Sequence, residues 1–186
     1  MRLIGIAGKA RSGKDTAAAY LVEKHGLLKY SFADPMKAGI KQMFGLTEQH
    51  VNGDLKETVI PWLGVSPRRL MQTLGTEWGR EMIRHDLWVM LAQRQWDQIR
   101  QPTADTFHGG MIVPDIRFEE EAAFIRRNGG LVIHLFRDDL QLVEAHKSES
   151  GVCFMDGDWL IENNGTIEDL YNELGREFIG RLGSVA

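Results

Sequence analysis

The sequence predicts an α/β protein in three layers, a parallel β-sheet with helices on both faces. Three features of its 186 residues predict it. Short apolar runs alternate with segments whose apolar residues recur three and four apart, the patterns of strands and helices in turn. A glycine-containing turn, Gly8 to Gly13, joins the first apolar run to the first helical segment. Later runs end near polar residues, Asp34, Asp115 and Arg137, and a parallel sheet binds ligands beyond such carboxyl ends.

Taken in order, Leu3 to Ala7 reads as the first strand and Lys14 to Lys24 as a helix, with Ala17, Ala18, Leu21 and Val22 at helical spacing. Leu27 to Phe32 is a second strand. Pro35 suits the first turn of a helix that ends at Phe44, before Gly45. Residues 46–66 mix turn formers, charges and single apolar residues and read mostly as loop. Pro67 to Gly75 and Asp86 to Arg100 are helical by the spacing of Leu70, Met71 and Leu74, then Leu87, Met90, Leu91, Trp96 and Ile99. After the loop-like QPTADTFHGG, MIVP is the third strand and Phe118 to Arg127 a helix closed by Asn128-Gly129-Gly130. LVIHLF and DWLIE are the fourth and fifth strands, and Thr166 caps a last helix from Ile167 towards Arg181. No repeat or low-complexity stretch interrupts this plan, and nothing marks a second independent domain.

Composition narrows the function classes. Apolar content of 43% and charged content of 26% are those of an ordinary globular protein. A net charge of −4 argues against general affinity for nucleic acid, which depends on many cations facing phosphates. The one cysteine, Cys153, excludes an internal disulfide and fits a reducing compartment. No run approaches the roughly 18 apolar residues of a membrane span, and Met1 leads into LIGIA without a cleavage-site pattern. The expectation is a cytoplasmic protein that binds neither membrane nor nucleic acid polymer.

GIAGKARSGKDT carries the chemistry. The phosphate-loop template asks for Gly, four residues, Gly-Lys and a hydroxyl residue. Gly8, Gly13 and Lys14 fit, but Asp15 stands where the hydroxyl belongs. Such a loop turns backbone N–H groups towards an anion, with the positive end of the next helix behind it. A bare strand-to-helix turn is the alternative. The loop is similar to the Gly-Lys-Gly-Thr form of nucleoside monophosphate kinases such as adenylate kinases. By that likeness Thr16 reaches the α-phosphate side, and Asp15 replaces a glycine where a carboxylate suits the helix dipole.

Phosphoryl transfer needs positioning, a metal holder and cations around the moving group. Asp115 can hold Mg²⁺ through water, or cap the helix at Phe118. Arg117, two residues on, points the same way if the strand continues, or serves in a surface ion pair. Arg137 follows the fourth strand and Lys147 lies in HKSESG, where either can cover phosphates or stay solvated. His146 has no second ligand at suitable spacing and reads as a local hydrogen-bonding residue. Arg68 and Arg69 are adjacent cations at a helix start. Neighbours on a helix diverge by about 100°, so one of the two faces any given site. Gln72 and Thr76 follow Arg68 on nearly the same face, a stripe able to take a phosphate and then a base, or else an ordinary polar face.

With GKARSGKDT, DPMK, RRLMQTLGTEWGRE, VPDIRFEEE, LVIHLFR, HKSESG and DGDWLIENNGTIEDL in this order, the chain resembles the deoxynucleoside monophosphate kinases of tailed phages and bacteria over most of its length. The resemblance implies the three-layer P-loop NTPase fold of the nucleoside monophosphate kinase type, a five-stranded parallel sheet ordered 2-3-1-4-5 with a helical acceptor-binding insertion. It implies one kinase domain over 1–186, with a core at about 1–34 and 110–186, an acceptor region at about 35–104 and a short lid at about 138–156. The implied reaction moves the γ-phosphoryl of ATP, with Mg²⁺, to a deoxynucleoside 5′-monophosphate (dNMP). Gly8, Arg11, Ser12, Gly13, Lys14, Asp15 and Thr16 would bind ATP, with Asn163 and Gly165 along its base. Lys14, Asp115, Arg117 and Arg137 would be catalytic, with Asp115 also facing the metal through water. Asp34, Lys37, Arg68, Arg69, Gln72, Thr76 and Trp88 would serve the acceptor. A homodimer is a further expectation of the resemblance.

Two other readings stay open at this level. Asp34 lies where a kinase of a hydroxyl needs a base, and that layout resembles dephospho-coenzyme A kinases; it can equally hold the acceptor or cap the helix at Pro35. A non-catalytic ATP-binding protein is the other, although no Asn-Lys-x-Asp of a GTPase follows the later strands.

Overall fold

The computed structural model describes residues 1–101, 109–138 and 151–180. It contains β1 (Arg2–Gly8), α1 (Lys14–His25), β2 (Leu27–Lys29), α2 (Asp34–Phe44), α3 (Glu48–Val51) and α4 (Pro67–Gln72). There follow α5 (Leu87–Ile99), β3 (Gly110–Ile116), α6 (Glu119–Arg127), β4 (Leu131–Phe136), β5 (Trp159–Glu162) and α7 (Ile167–Gly180). The chain divides into two compact units, one of residues 1–30 and 96–186 and one of residues 31–95.

In the first unit five parallel strands form one sheet ordered β2-β3-β1-β4-β5, the order the resemblance implies. β1 and β3 are buried along nearly their whole length, as strands covered on both faces are, and β4 is buried at Val132, Ile133 and Leu135. On one face α1 and α7 pack Ala17, Ala18, Leu21, Leu170 and Leu174 against Ile4, Ile6, Ile112, Ile133 and Ile161. On the other, α6 buries Ala122, Phe124 and Ile125. Gly5 makes that closeness possible, since a methyl group there would overlap Ile116 and Ile125. β5 is an edge and alternates, with Trp159 and Ile161 buried and Leu160 and Glu162 exposed.

Several elements depart from the sequence expectation. β2 stops at Lys29 rather than Phe32. Tyr30 N–H still bonds the Ile112 carbonyl at 2.9 Å, but Ser31 then turns the chain, donating to the Asp34 carboxylate at 2.7 Å. Asp115 does not cap α6. Phe118 is the capping position, and Glu121 reaches back to accept from the Arg117 and Phe118 N–H groups at 2.9 and 3.3 Å. That places a nearly buried carboxylate in the first turn of α6.

The second unit is helical. Residues 46–66, expected mostly as loop, contain α3, with Thr47 and His50 closing its first turn, and a 3₁₀ turn at Asp54–Glu57. The helix expected to end at Gly75 continues to Ile83 as a π-helix over Thr73–Ile83. A wider coil leaves carbonyls for other donors, and the indole N–H of Trp88 takes that of Gly75 at 2.8 Å. Gly79 is buried where a Cβ would lie 2.6 Å from the Trp88 ring.

Phe124 is the largest of the fully buried side chains. Phe124→Ala is expected to lower unfolding free energy by about 3–5 kcal/mol, measured by urea titration.

Candidate active site

The loop between β1 and α1 is shaped by unusual backbone. Gly8 has φ 152°, Arg11 has φ 66° and Gly13 has φ 100° at the start of α1. At Gly8 a side chain would meet the Leu135 carbonyl and the Ser12 hydroxyl. A non-glycine residue in the left-handed region is uncommon, and such strain gathers at ligand-binding turns. Ser12 is 1% exposed, its N–H bonds the Lys9 carbonyl at 3.2 Å and its carbonyl accepts from Asn163 at 2.9 Å. Ser12 thus belongs to the buried framework of the loop.

Lys14 folds back over the loop, donating to the carbonyls of Gly8 and Lys9 at 2.7 and 2.8 Å. Its ammonium is 3.7 Å from Asp115 at the end of β3, and Asp115 is gripped by Arg117 at 2.6 and 2.7 Å. Arg117 does point the way of Asp115, so three of the expected residues form one charged cluster. These three line a cavity of about 360 Å³ together with Gly8, His134 and Phe136. A second cavity, about 340 Å³, holds Arg11, Gly13, Asp15, Thr16, Arg137 and Asn163, with Gly165 also on its wall. Lys14 lines both. Asp15 points outward, 3.7 Å from Lys29.

The donor set suits a hard cation. Asp115 offers carboxylate oxygens that are 37% exposed, and Thr16 a hydroxyl at the start of α1. Among the described residues no three carboxylate, His or Cys groups converge on a metal. A bound Mg²⁺ would therefore take most of its ligands from phosphate and water, its usual manner.

One polar network was not foreseen from the sequence. Asp158, just before β5, accepts from Arg126 of α6 at 2.7 and 3.1 Å, from the Met155 N–H at 3.0 Å, and lies 3.0 Å from His134 of β4. Arg126 also donates to Glu119 at 2.6 Å and to the Cys153 carbonyl at 2.8 Å. Burial alone would raise the Asp158 carboxyl, but hydrogen bonds from Arg126, Met155 and His134, with the Arg126 charge, outweigh it and hold it below the usual range. The one available signal is an Asp directly before an apolar strand.

The residues expected on the acceptor side lie in the second unit. Arg68 pairs with Glu57, and Arg69 lies 3.6 Å from Glu77, so these neighbours do diverge. Gln72 and Thr76 are exposed. Lys37 donates to Asn52 at 2.5 Å. Asp34 closes the turn at Ser31. Trp88 is 8% exposed in the interior of its unit, with its indole N–H on the Gly75 carbonyl. His146 and Lys147 lie outside the described residues, as does most of the expected lid.

A glycine loop of unusual backbone after β1, a lysine over it, and a carboxylate with an arginine at the end of β3 fit the phosphate-loop class of kinases. The model of the deoxynucleotide monophosphate kinase family matches residues 2–60 and 63–174, and the chain belongs to that family. It is thus an ATP-dependent kinase of nucleotide metabolism. It is 32% identical over 184 aligned positions to a protein of Acanthamoeba polyphaga mimivirus that carries a provisional deoxynucleotide monophosphate kinase name, with 94% of each chain covered. It is 26% identical to the deoxynucleotide monophosphate kinase of Enterobacteria phage T4, covering 94% of this chain and 97% of that one. That alignment spans 241 positions against 186 residues here, so the phage protein carries additional residues between the shared segments. Shikimate kinase from Aquifex aeolicus shares the fold at TM-score 0.50 and 11% identity, covering 97% and 98% of the two chains. Among the described residues no helix is long and apolar enough to cross a membrane.

A carboxyl whose folded pKa is lowered stabilises the fold above its unfolded value, near 3.9. That contribution disappears as the pH falls through the lower folded value. Asp158→Asn is expected to cost about 3 kcal/mol at pH 7 and to lose less stability than wild type between pH 5 and pH 2, read by thermal melts.

Proposed function

We propose that the chain transfers the γ-phosphoryl of ATP to a deoxynucleoside 5′-monophosphate, giving ADP and the deoxynucleoside diphosphate. The observation that carries this is the cluster of Lys14, Asp115 and Arg117 above the loop from Gly8 to Thr16. ATP lies with its phosphates on that loop and its base towards Asn163 and Gly165, with Arg137 beside it. Lys14 exchanges the carbonyls of Gly8 and Lys9 for β- and γ-phosphate oxygens, bringing one positive charge to the breaking bond. Arg117 and Arg137 offset the repulsion between the γ-phosphoryl and an incoming anion. Mg²⁺, when bound near Asp115 and Thr16, neutralises charge that builds up on the phosphate oxygens.

No general base is required. The second pKa of a monophosphate is about 6, so the acceptor is mostly a dianion near neutral pH and already nucleophilic. The residues support that chemistry, since Asp115 is held by two cations and Asp34 by the Ser31 N–H. A hydroxyl acceptor would need a carboxylate free to take its proton. Arg68, with Gln72 and Thr76 along the same helix, is the acceptor's recognition stripe. The substrates are small nucleotides and the compartment is the cytoplasm, in keeping with the net charge of −4 and the lone, exposed Cys153.

The test is ADP formation from ATP and Mg²⁺ with each dNMP in turn. ADP production above the acceptor-free control is expected for at least one, and none with any would overturn the reading. Lys14→Ala is expected to lower kcat by roughly 100-fold or more with an unchanged melting temperature, and chelation of Mg²⁺ by EDTA to stop transfer. Arg68→Ala is expected to raise the acceptor KM about tenfold while the ATP KM stays nearly constant; equal effects on both would assign Arg68 a structural role.

A further inference from the structure

Gly151 and Val152 line the same cavity as Lys14, Asp115 and Arg117, and they begin a strap that runs without regular structure to β5. Apolar burial holds little of this strap. Val152 is buried, but Phe154 and Met155 are 58% and 50% exposed. Polar contacts hold it instead. The Cys153 N–H goes to Glu119 at 3.1 Å, the Cys153 carbonyl to Arg126, and the Met155 N–H to Asp158. Asp158 ties these together, because Arg126 is oriented by its carboxylate, and its side chain is 3% exposed. His134 belongs to both structures: it touches Asp158, lies tilted by 56° against Phe154 with ring centroids 5.3 Å apart, and lines the cavity.

We propose that Asp158 is a positioning residue for phosphoryl transfer, holding the Gly151–Val152 wall of the cavity so that water stays away from the transferred group. This rests on the kinase reading above. Asp158 touches neither substrate; it acts through Arg126, His134 and the Met155 N–H. With the carboxylate replaced by an amide, the charge and one of the two acceptor oxygens are lost, so Arg126 and the Met155 N–H compete for the oxygen that remains and the strap is no longer fixed in one place. A loosened wall admits water, and water then competes with the acceptor for the γ-phosphoryl. The second cavity, where the base of ATP is placed, has no strap residue on its wall. Binding of ATP is therefore separable from the effect.

The experiment measures ADP formation with ATP and Mg²⁺ alone and with a saturating dNMP, for wild type, Asp158→Asn and Glu119→Ala. In Asp158→Asn, kcat for transfer is expected to fall about tenfold and the share of ADP formed without acceptor to rise about tenfold, with the ATP KM changed less than about twofold. A folded Asp158→Asn protein with the wild-type ratio of hydrolysis to transfer would overturn the proposal. If Asp158→Asn does not fold, Glu119→Ala decides, since its half-exposed side chain anchors both Arg126 and Cys153 from the surface. There an increase of about threefold in the same ratio is expected, and an unchanged ratio would sink the idea. A wild-type protein with no dNMP-dependent ADP would instead overturn the kinase reading, an outcome these variants do not mimic.

Discussion

The parallel pairing of β1 with β3 is the constraint on which the site depends. Register Gly5 to Val113 and then Ala7 to Ile116 brings the start of the phosphate loop and Asp115 to the same edge of the sheet. Because β1 runs in the centre and is buried on both faces, a slip of one residue would turn its apolar set and displace Gly8 as well. The apolar cover from α1, α7 and α6 therefore does more than stabilise the sheet. It fixes the distance between the loop after β1 and the Asp115 carboxylate that faces it.

Electrostatics follow from that placement. A protein of net charge −4 has to concentrate cations locally if it is to hold two phosphate-bearing substrates at once. Lys14 and Arg117 share Asp115 between them, so two positive charges stand near one negative before any phosphate arrives. Each cation is held in place by groups that a phosphate oxygen can replace, carbonyls for Lys14 and a carboxylate for Arg117. Under the proposed reaction, such an arrangement would be organised in advance for charge that develops on the moving group, at little cost of rearrangement.

What the sequence disclosed followed from local rules. Strand, glycine turn and helix are written in contiguous residues, so LIGIAGKARSGKDT and VPDIR announced their places, and LVIHLF coincides with β4. The π-helix escaped because its first turns share the spacing of an α-helix, and the Trp88 indole that bonds the Gly75 carbonyl stands thirteen residues beyond it. The Asp158 network escaped for the same kind of reason. Its partners Arg126 and His134 stand 32 and 24 residues earlier, on different elements, and only folding brings them together.

Fold alone does not choose the acceptor, since a shikimate kinase shares this sheet at 11% identity. The discriminating physics is the proton. An acceptor hydroxyl must lose one during transfer, and a kinase of that sort keeps a carboxylate poised for it. A monophosphate arrives already ionised, and a free carboxylate beside it would only add repulsion. In this chain the carboxylates within reach of the argument are each committed, Asp115 to Lys14 and Arg117, Asp34 to the Ser31 N–H, Glu121 to the first turn of α6. That distribution is what a phosphate acceptor needs, and it makes the family assignment intelligible in the terms of the reaction itself.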